Sequence, residues 1–163
     1  EPQVARLART LHDDGIVLDG VLHLVGGWRG GGGLAGQTDA DYRVLETSFT
    51  ALRHVSRAFH EDLLRSPAGR LAIVSSTAVA RPLAGGANYA AVKAASEAWV
   101  RAVAHGFAKD ARDAGAPPHA AAVILRVTSL AGLEEDVAEA VTALWRQDAA
   151  INDSIIEIGK EQG

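Results

Sequence analysis

The sequence of 163 residues contains no cysteine and no methionine, and none of its apolar runs approaches the length of a membrane span. Without cysteine, disulfide bonds, thiol catalysis and thiolate metal sites are excluded. The formal net charge of −4 gives no basic footprint for nucleic acid or for an anionic membrane surface. No secretory signal is visible. We therefore expect a cytoplasmic protein without a membrane or nucleic-acid partner.

The six histidines show no His-x-x-x-His pair and no clustering with carboxylates, so no metal site is predicted. The glycine-rich segment 31–36 matches the dinucleotide pattern Gly-x-Gly-x-x-Gly literally. However, the match lies several residues past the nearest predicted strand, and no helix continues from its last glycine. We expect this segment to be a flexible loop at the mouth of a cleft.

Predicted strands and helices alternate along the chain. Short apolar segments bounded by glycine or turn residues predict strands at 20–25, 70–76, 120–127 and 154–158. Helical periodicity predicts helices over about 4–15, 38–63, 88–114 and 134–145, the second of them capped by Thr38 and Asp41. Such alternation favours an α/β fold with a doubly wound parallel sheet in three layers. No repeat or linker divides the chain, so residues 1–163 are predicted to form one domain.

Tyr89 and Lys93 are four residues apart on a predicted helix and therefore share one face of it. Tyr-x-x-x-Lys by itself is a weak pattern, because two such residues also occur by chance on a solvated helix. Ser76 makes the combination more specific, because it closes a predicted strand thirteen residues before the tyrosine. Ligands of parallel α/β sheets bind beyond the carboxyl ends of the strands. Gly26, Ser76 and Thr128 all fall at such ends, so one cleft is expected to gather them.

These residue types have complementary chemistry. A phenol with an ordinary pKa of about 10 is a poor acid–base catalyst at neutral pH, and a neighbouring ammonium lowers that pKa. A serine hydroxyl can donate a hydrogen bond to a carbonyl oxygen that gains negative charge as a hydride arrives. Together they describe carbonyl reduction or alcohol oxidation, with a cofactor as the hydride source or acceptor.

With Ser76, Tyr89 and Lys93 the chain resembles the short-chain dehydrogenase/reductase superfamily. Segments 23–26, 41–48, 133–138 and 154–158 resemble family elements in the same order, and the likeness runs from about residue 1 to residue 159. The resemblance implies a Rossmann-like fold, NAD or NADP as the cofactor, and a small carbonyl or alcohol substrate. It further implies that Tyr89 is the acid–base residue, that Lys93 lowers its pKa and holds the nicotinamide ribose, and that Ser76 orients the carbonyl. It also implies that Gly26 and Thr128 approach the cofactor.

The chain departs from the family pattern in several places. Ser48 stands where the family usually has a fourth catalytic residue, an asparagine, and His23 stands at another asparagine position near the cofactor. The first βαβ unit of the family, with its glycine-rich pyrophosphate turn, is missing, and the substrate loop after residue 127 is absent or very short. These departures leave open an alternative, a catalytically silent family member that serves as a binding or assembly subunit.

Residue 1 is a glutamate, which is not an ordinary translation start. Either the protein was cut, or the sequence is part of a longer chain. The second interpretation is favoured, because it explains both missing segments at once.

The helix of Tyr89 carries a face of small residues, Ala90, Ala91, Ala94, Ala95 and Ala98. This face either lets the helix lie close to the sheet or lets it pair with a second copy of the chain. In the resembled family, this helix and the preceding long one pair across a two-fold axis. We therefore expect a homodimer or homotetramer.

Overall fold

A computed structural model describes residues 1–159 of the chain. The last four positions of the predicted domain, 160–163, lie outside the described residues. The strands are β1 (Gly20–His23), β2 (Arg70–Ser76), β3 (Ala121–Val127) and β4 (Ile155–Ile158). The helices are α1 (Pro2–Asp13), α2 (Asp39–Ala58), α3 (His60–Arg65), α4 (Ala87–Asp113) and α5 (Glu134–Ala143).

The four strands form one sheet in the order β1-β2-β3-β4, and all three pairings are parallel. Each crossover passes through at least one helix. Helices cover both faces of the sheet, which confirms the three-layer, doubly wound architecture predicted from the alternation of patterns. None of the helices between residues 1 and 159 is both long and apolar enough to cross a lipid bilayer.

Side chains of β2 and β3 alternate between two apolar cores, one on each face of the sheet. The first core packs α2, α3 and α4 against the sheet, and its largest buried members are Leu52, Leu63, Leu71, Ile73, Val100, Phe107 and Ile124. The second core packs α5 against the opposite face, and its members are Ala72, Val123, Leu125, Val127, Leu133, Val137 and Leu144. Strands β2 and β3 therefore pack between helices on both faces of the sheet, which fixes the positions of their carboxyl ends.

Most of the observed element boundaries lie within one or two residues of the predicted ones, and three differences are informative. The second predicted helix is two helices, because Phe59 leaves helical backbone (φ −110°, ψ 11°) and its side chain is buried. The helix predicted over 134–145 ends at Ala143 and continues as a 3-10 turn, Leu144–Arg146. Strand β1 ends at His23, two residues early, where its pairing with β2 stops.

Gly20, the first residue of β1, has no space for a side chain. A Cβ atom built on this residue would lie 2.3 Å from the indole ring of Trp145, which packs over the start of β1. The indole belongs to the 3-10 turn that follows α5. Because Gly20 has no side chain, this turn can pack directly against the edge strand β1.

Candidate active site

A cavity of about 1070 Å³ opens beyond the carboxyl ends of β1, β2 and β3. The five residues that the sequence singles out, Gly26, Ser76, Tyr89, Lys93 and Thr128, all line this one cavity. The strand register accounts for part of this convergence. Ser76, the last residue of β2, pairs with Val127, the last residue of β3, so Thr128 follows directly beside it.

Helix α4 brings Tyr89 and Lys93 to the cavity on one face, as their spacing predicts. The Lys93 ammonium lies 5.9 Å from the centroid of the Tyr89 ring and donates a hydrogen bond to the Val74 carbonyl oxygen at 2.7 Å. Burial lowers the pKa of Lys93 below its ordinary value, and the carboxylate of Glu97 partly opposes that shift. The lysine is thus tied to β2 and held close to the tyrosine ring.

Ser76 and Tyr89 both keep hydroxyl hydrogen-bonding capacity for a ligand. The Ser76 side chain is buried, and its Oγ accepts a hydrogen bond from the Ala78 backbone N–H at 3.1 Å. This contact uses a lone pair, so the Ser76 O–H remains free to donate. The Tyr89 hydroxyl makes no hydrogen bond to any residue between 1 and 159, and it faces the same space.

Gly26 lies beside the Lys93 ammonium in the cavity lining. A Cβ atom on Gly26 would be 3.5 Å from the Lys93 ammonium nitrogen. The missing side chain therefore leaves room for a ligand beside the ammonium.

The glycine-rich loop lies at the mouth of this cavity, as predicted, and Gly31 is part of the lining. Gln37 fixes the loop, because its Nε2 donates to the carbonyl oxygens of Gly31 at 3.1 Å and Gly85 at 3.0 Å. The Oε1 of the same side chain accepts from the Asn88 backbone N–H, one residue before Tyr89. Sequence reasoning missed Gln37, since nothing in its local context marks it.

A buried ion pair lies beneath the Lys93 end of the site and was also missed from the sequence. Glu97, one helical turn after Lys93, is bonded by Arg126 of β3 and by Ser75 of β2. The i, i+4 spacing of Lys93 and Glu97 was visible in the sequence, but the partners of Glu97 were not.

The two positions at which the chain departs from the family pattern do not line the cavity. Ser48 is buried on α2 and donates its hydroxyl to the Leu45 carbonyl oxygen at 2.7 Å. His23 is buried at the end of β1. Within the described residues, no group of three or more metal-binding side chains is arranged to hold an ion.

The family described as enoyl-(acyl carrier protein) reductase matches residues 1–112 of this chain. No curated protein matches it. Among solved structures, the enoyl-[acyl-carrier-protein] reductase (NADH) of Aquifex aeolicus VF5 is similar with a TM-score of 0.79 and 16% identity, over 98% of this chain and 68% of that one.

An oxidoreductase of the short-chain dehydrogenase/reductase type from Brucella ovis has a TM-score of 0.75 and 22% identity, over 96% of this chain and 75% of its own. A short-chain dehydrogenase of Escherichia coli CFT073, solved in complex with NADPH, has a TM-score of 0.77 and 17% identity, over 96% of this chain and 69% of that one. At these identities the likeness to the three structures establishes the fold alone.

Proposed function

Since the chain belongs to the short-chain dehydrogenase/reductase superfamily, we propose that it transfers a hydride between NAD or NADP and a carbonyl compound or secondary alcohol. The family match over residues 1–112 carries the membership. The single observation that most supports the activity is the convergence of Ser76, Tyr89 and Lys93 on one cavity. The NADP(H)-bound state of related structures supports the choice of cofactor.

The cavity fits the nicotinamide ribose end of this cofactor. Lys93 offers ammonium N–H donors, and Gly26 leaves open the space beside them that a side chain would fill. Thr128 adds a hydroxyl at the end of β3. The cofactor, when bound, supplies or accepts the hydride.

Tyr89, Lys93 and Ser76 then act together on the substrate oxygen. In the reducing direction, Tyr89 gives its phenolic proton to the substrate oxygen, and in the oxidising direction the phenolate takes a proton from the alcohol. The Lys93 ammonium lies close to the Tyr89 ring and stabilises the phenolate by its positive charge. The Ser76 O–H donates to the substrate oxygen and stabilises the negative charge that develops there.

The chain provides a matched pair of variants to test this activity, because it contains only two tyrosines. Tyr89→Phe removes the acid–base group and is expected to lower kcat by at least about 100-fold, the usual contribution of a positioned acid or base. Tyr42→Phe changes an exposed tyrosine on α2 and should leave kcat unchanged. Turnover is measured from the absorbance of NADH or NADPH against a panel of aldehydes and ketones.

Cofactor binding by both variants is measured in parallel by the fluorescence of the three tryptophans. We expect Tyr89→Phe to bind cofactor and to keep its fold. Near-normal turnover by Tyr89→Phe would refute the assigned role.

A second candidate function is that of a catalytically silent family member, acting as a binding or assembly subunit. Ser48 favours it, because the resemblance places the fourth catalytic residue there, yet this side chain is buried and bonded to Leu45. Cofactor binding without turnover across the substrate panel would support this second candidate over the first.

We also propose that the chain forms one domain and associates with itself as a homodimer or homotetramer. Of the small residues on α4, Ala90 is buried and Ala95 is half-buried, whereas Ala91, Ala94 and Ala98 are exposed. These three therefore are not needed for packing on the sheet. Their exposure supports pairing with a second copy of the chain.

A further inference from the structure

Glu97 is a buried carboxylate that the proposed chemistry does not use. It is 5% exposed and lies on α4, one helical turn beyond Lys93. Arg126 donates to it twice, from Nε to Oε1 at 2.9 Å and from Nη2 to Oε2 at 2.6 Å. Ser75 donates to Oε1 from its hydroxyl at 2.7 Å. This bidentate ion pair, with the serine hydroxyl as a third donor, has the geometry of a strong charge-assisted contact.

The contact joins three of the elements that supply the site. Glu97 belongs to α4 with Tyr89 and Lys93, Ser75 immediately precedes Ser76 on β2, and Arg126 lies two residues before Thr128 on β3. A change in this contact therefore shifts α4, with Tyr89 and Lys93, relative to Ser76 at the end of β2.

Stability alone explains the pair poorly. Removing two charges from water is costly, and buried ion pairs are often replaced by apolar residues without loss of stability. Burial by itself raises the pKa of Glu97, but the hydrogen bonds from Arg126 and Ser75 and the charges of Arg126 and Arg101 outweigh it. The pKa of Glu97 is thus below its ordinary value, and the pair carries one full negative and one full positive charge at neutral pH.

We propose that Glu97 and Arg126 are positioning residues of the site, which fix the strand ends against α4 and keep the net charge beneath Lys93 and Tyr89 near zero. This proposal rests on the function proposed above. Other titratable or charged groups face the same region from each neighbouring element. They are His23 of β1, Arg81 in the cavity wall after β2, Arg101 of α4 and Glu157 of β4, whose carboxylate lies 4.0 Å from Arg126.

Removing one charge of the pair at a time gives opposite electrostatic consequences. Glu97→Gln leaves the Arg126 guanidinium with only the exposed Glu157 carboxylate beside it, at 4.0 Å. The positive charge that remains lowers the pKa of both a lysine and a tyrosine nearby. Arg126→Met leaves the Glu97 carboxylate without its main partner, and this negative charge raises the pKa of both a lysine and a tyrosine nearby. A charge about 10 Å away in a partly buried site shifts a pKa by roughly half to one unit. A purely structural role predicts lost stability in both variants and no such opposition.

The chain has only two tyrosines, so the opposite shifts can be measured without an activity assay. In a Tyr42→Phe background Tyr89 is the only phenol, so its ionisation is read directly from tyrosinate absorbance during a pH titration. We expect the titration of Tyr89 to move to lower pH in Glu97→Gln and to higher pH in Arg126→Met. The pH profile of kcat should move in the same two directions.

Two further variants separate charge from folding. Arg126→Lys keeps the positive charge and should keep the titration of Tyr89 near that of the parent, even where stability falls. The double variant Glu97→Gln/Arg126→Met removes both charges and should return the titration to within about 0.3 pH unit of the parent, as expected for cancelling terms. Circular dichroism over the pH range verifies that each variant is folded.

Shifts of the same sign in the two single variants, or no shift in either, overturn the proposal whatever the turnover. Loss of the proposed function has a different signature, which is a parent protein without turnover or a Tyr89→Phe variant with full turnover. The phenol titration remains readable in the first of these cases.

Discussion

His23 is a buried titratable side chain at the carboxyl end of β1, close enough to Lys93 to sense its charge. Burial lowers its pKa below the ordinary value of 6.5, the Lys93 ammonium lowers it further, and the Ser48 backbone partly opposes both. The imidazole is therefore neutral in the folded protein near pH 7. At the residue scale, this group contributes to the pH dependence of stability.

The sign of that contribution follows from proton linkage. Below 6.5 the unfolded chain binds a proton at His23 that the folded protein does not bind, so stability falls as the pH drops through this value. We expect His23→Gln to lose less free energy of unfolding than the wild type between about pH 7 and pH 5.5. Urea denaturation at the two pH values measures the difference.

The exposed His105 on α4 provides the control. His105→Gln should retain the pH dependence of the wild type. An equal loss of stability in the wild type and in His23→Gln would contradict the assignment.

At the scale of elements, the amino terminus of α2 is closed by a reciprocal cap. Thr38 Oγ1 accepts from the Asp41 backbone N–H at 3.1 Å and donates to the Asp41 carboxylate at 2.7 Å. The Thr38 carbonyl oxygen also accepts from the Asn88 side chain at 3.1 Å, which connects the start of α2 to the start of α4. Residue 38 thus caps its own helix through its side chain and contacts the helix of Tyr89 through its backbone.

Thr38→Ala removes this cap and is expected to lower the free energy of unfolding by about 1 kcal/mol, within the usual range for an N-cap. Thr38→Ser keeps a capping oxygen and should lose about half as much or less. Chemical denaturation of both variants checks this order. Equal losses would mean that the threonine methyl group, rather than the hydroxyl, is responsible.

At the scale of the whole molecule, the exposed small residues of α4 predict how copies of the chain meet. A long side chain at Ala98 would separate two closely packed helices, because overpacking an interface costs about 1–3 kcal/mol. Ala98→Arg is therefore expected to weaken self-association at least about tenfold in Kd. Analytical ultracentrifugation over a range of concentrations measures it.

Ala138 on α5 is also exposed and lies on the other face of the sheet. Ala138→Arg makes the same chemical change there and should leave association unchanged. A similar effect of both substitutions would indicate a general loss of solubility and would refute the assignment of the α4 face.

Features that depend on near neighbours along the chain could be predicted from the amino-acid sequence. Hydrophobic periodicity located the strands and helices, because period-two and period-3.6 patterns bury one face of each element. The four-residue spacing put Tyr89 and Lys93 on one helix face, and the strand-ending position of Ser76 put it at the same sheet edge. The Thr38 cap was visible for the same reason, since its partner is three residues away.

Contacts between residues that are distant in sequence could not be predicted, because they depend on how the elements pack. Glu97 meets Arg126 and Ser75, which are 29 and 22 residues away, only because α4 crosses behind β2 and β3. Gln37 reaches Gly85, 48 residues away, through a loop whose path no local pattern encodes. Burial of Lys93 and His23, and with it the direction of their pKa shifts, likewise depends on which elements close over them. Local spacing specifies which face a residue occupies, whereas packing specifies what that face meets.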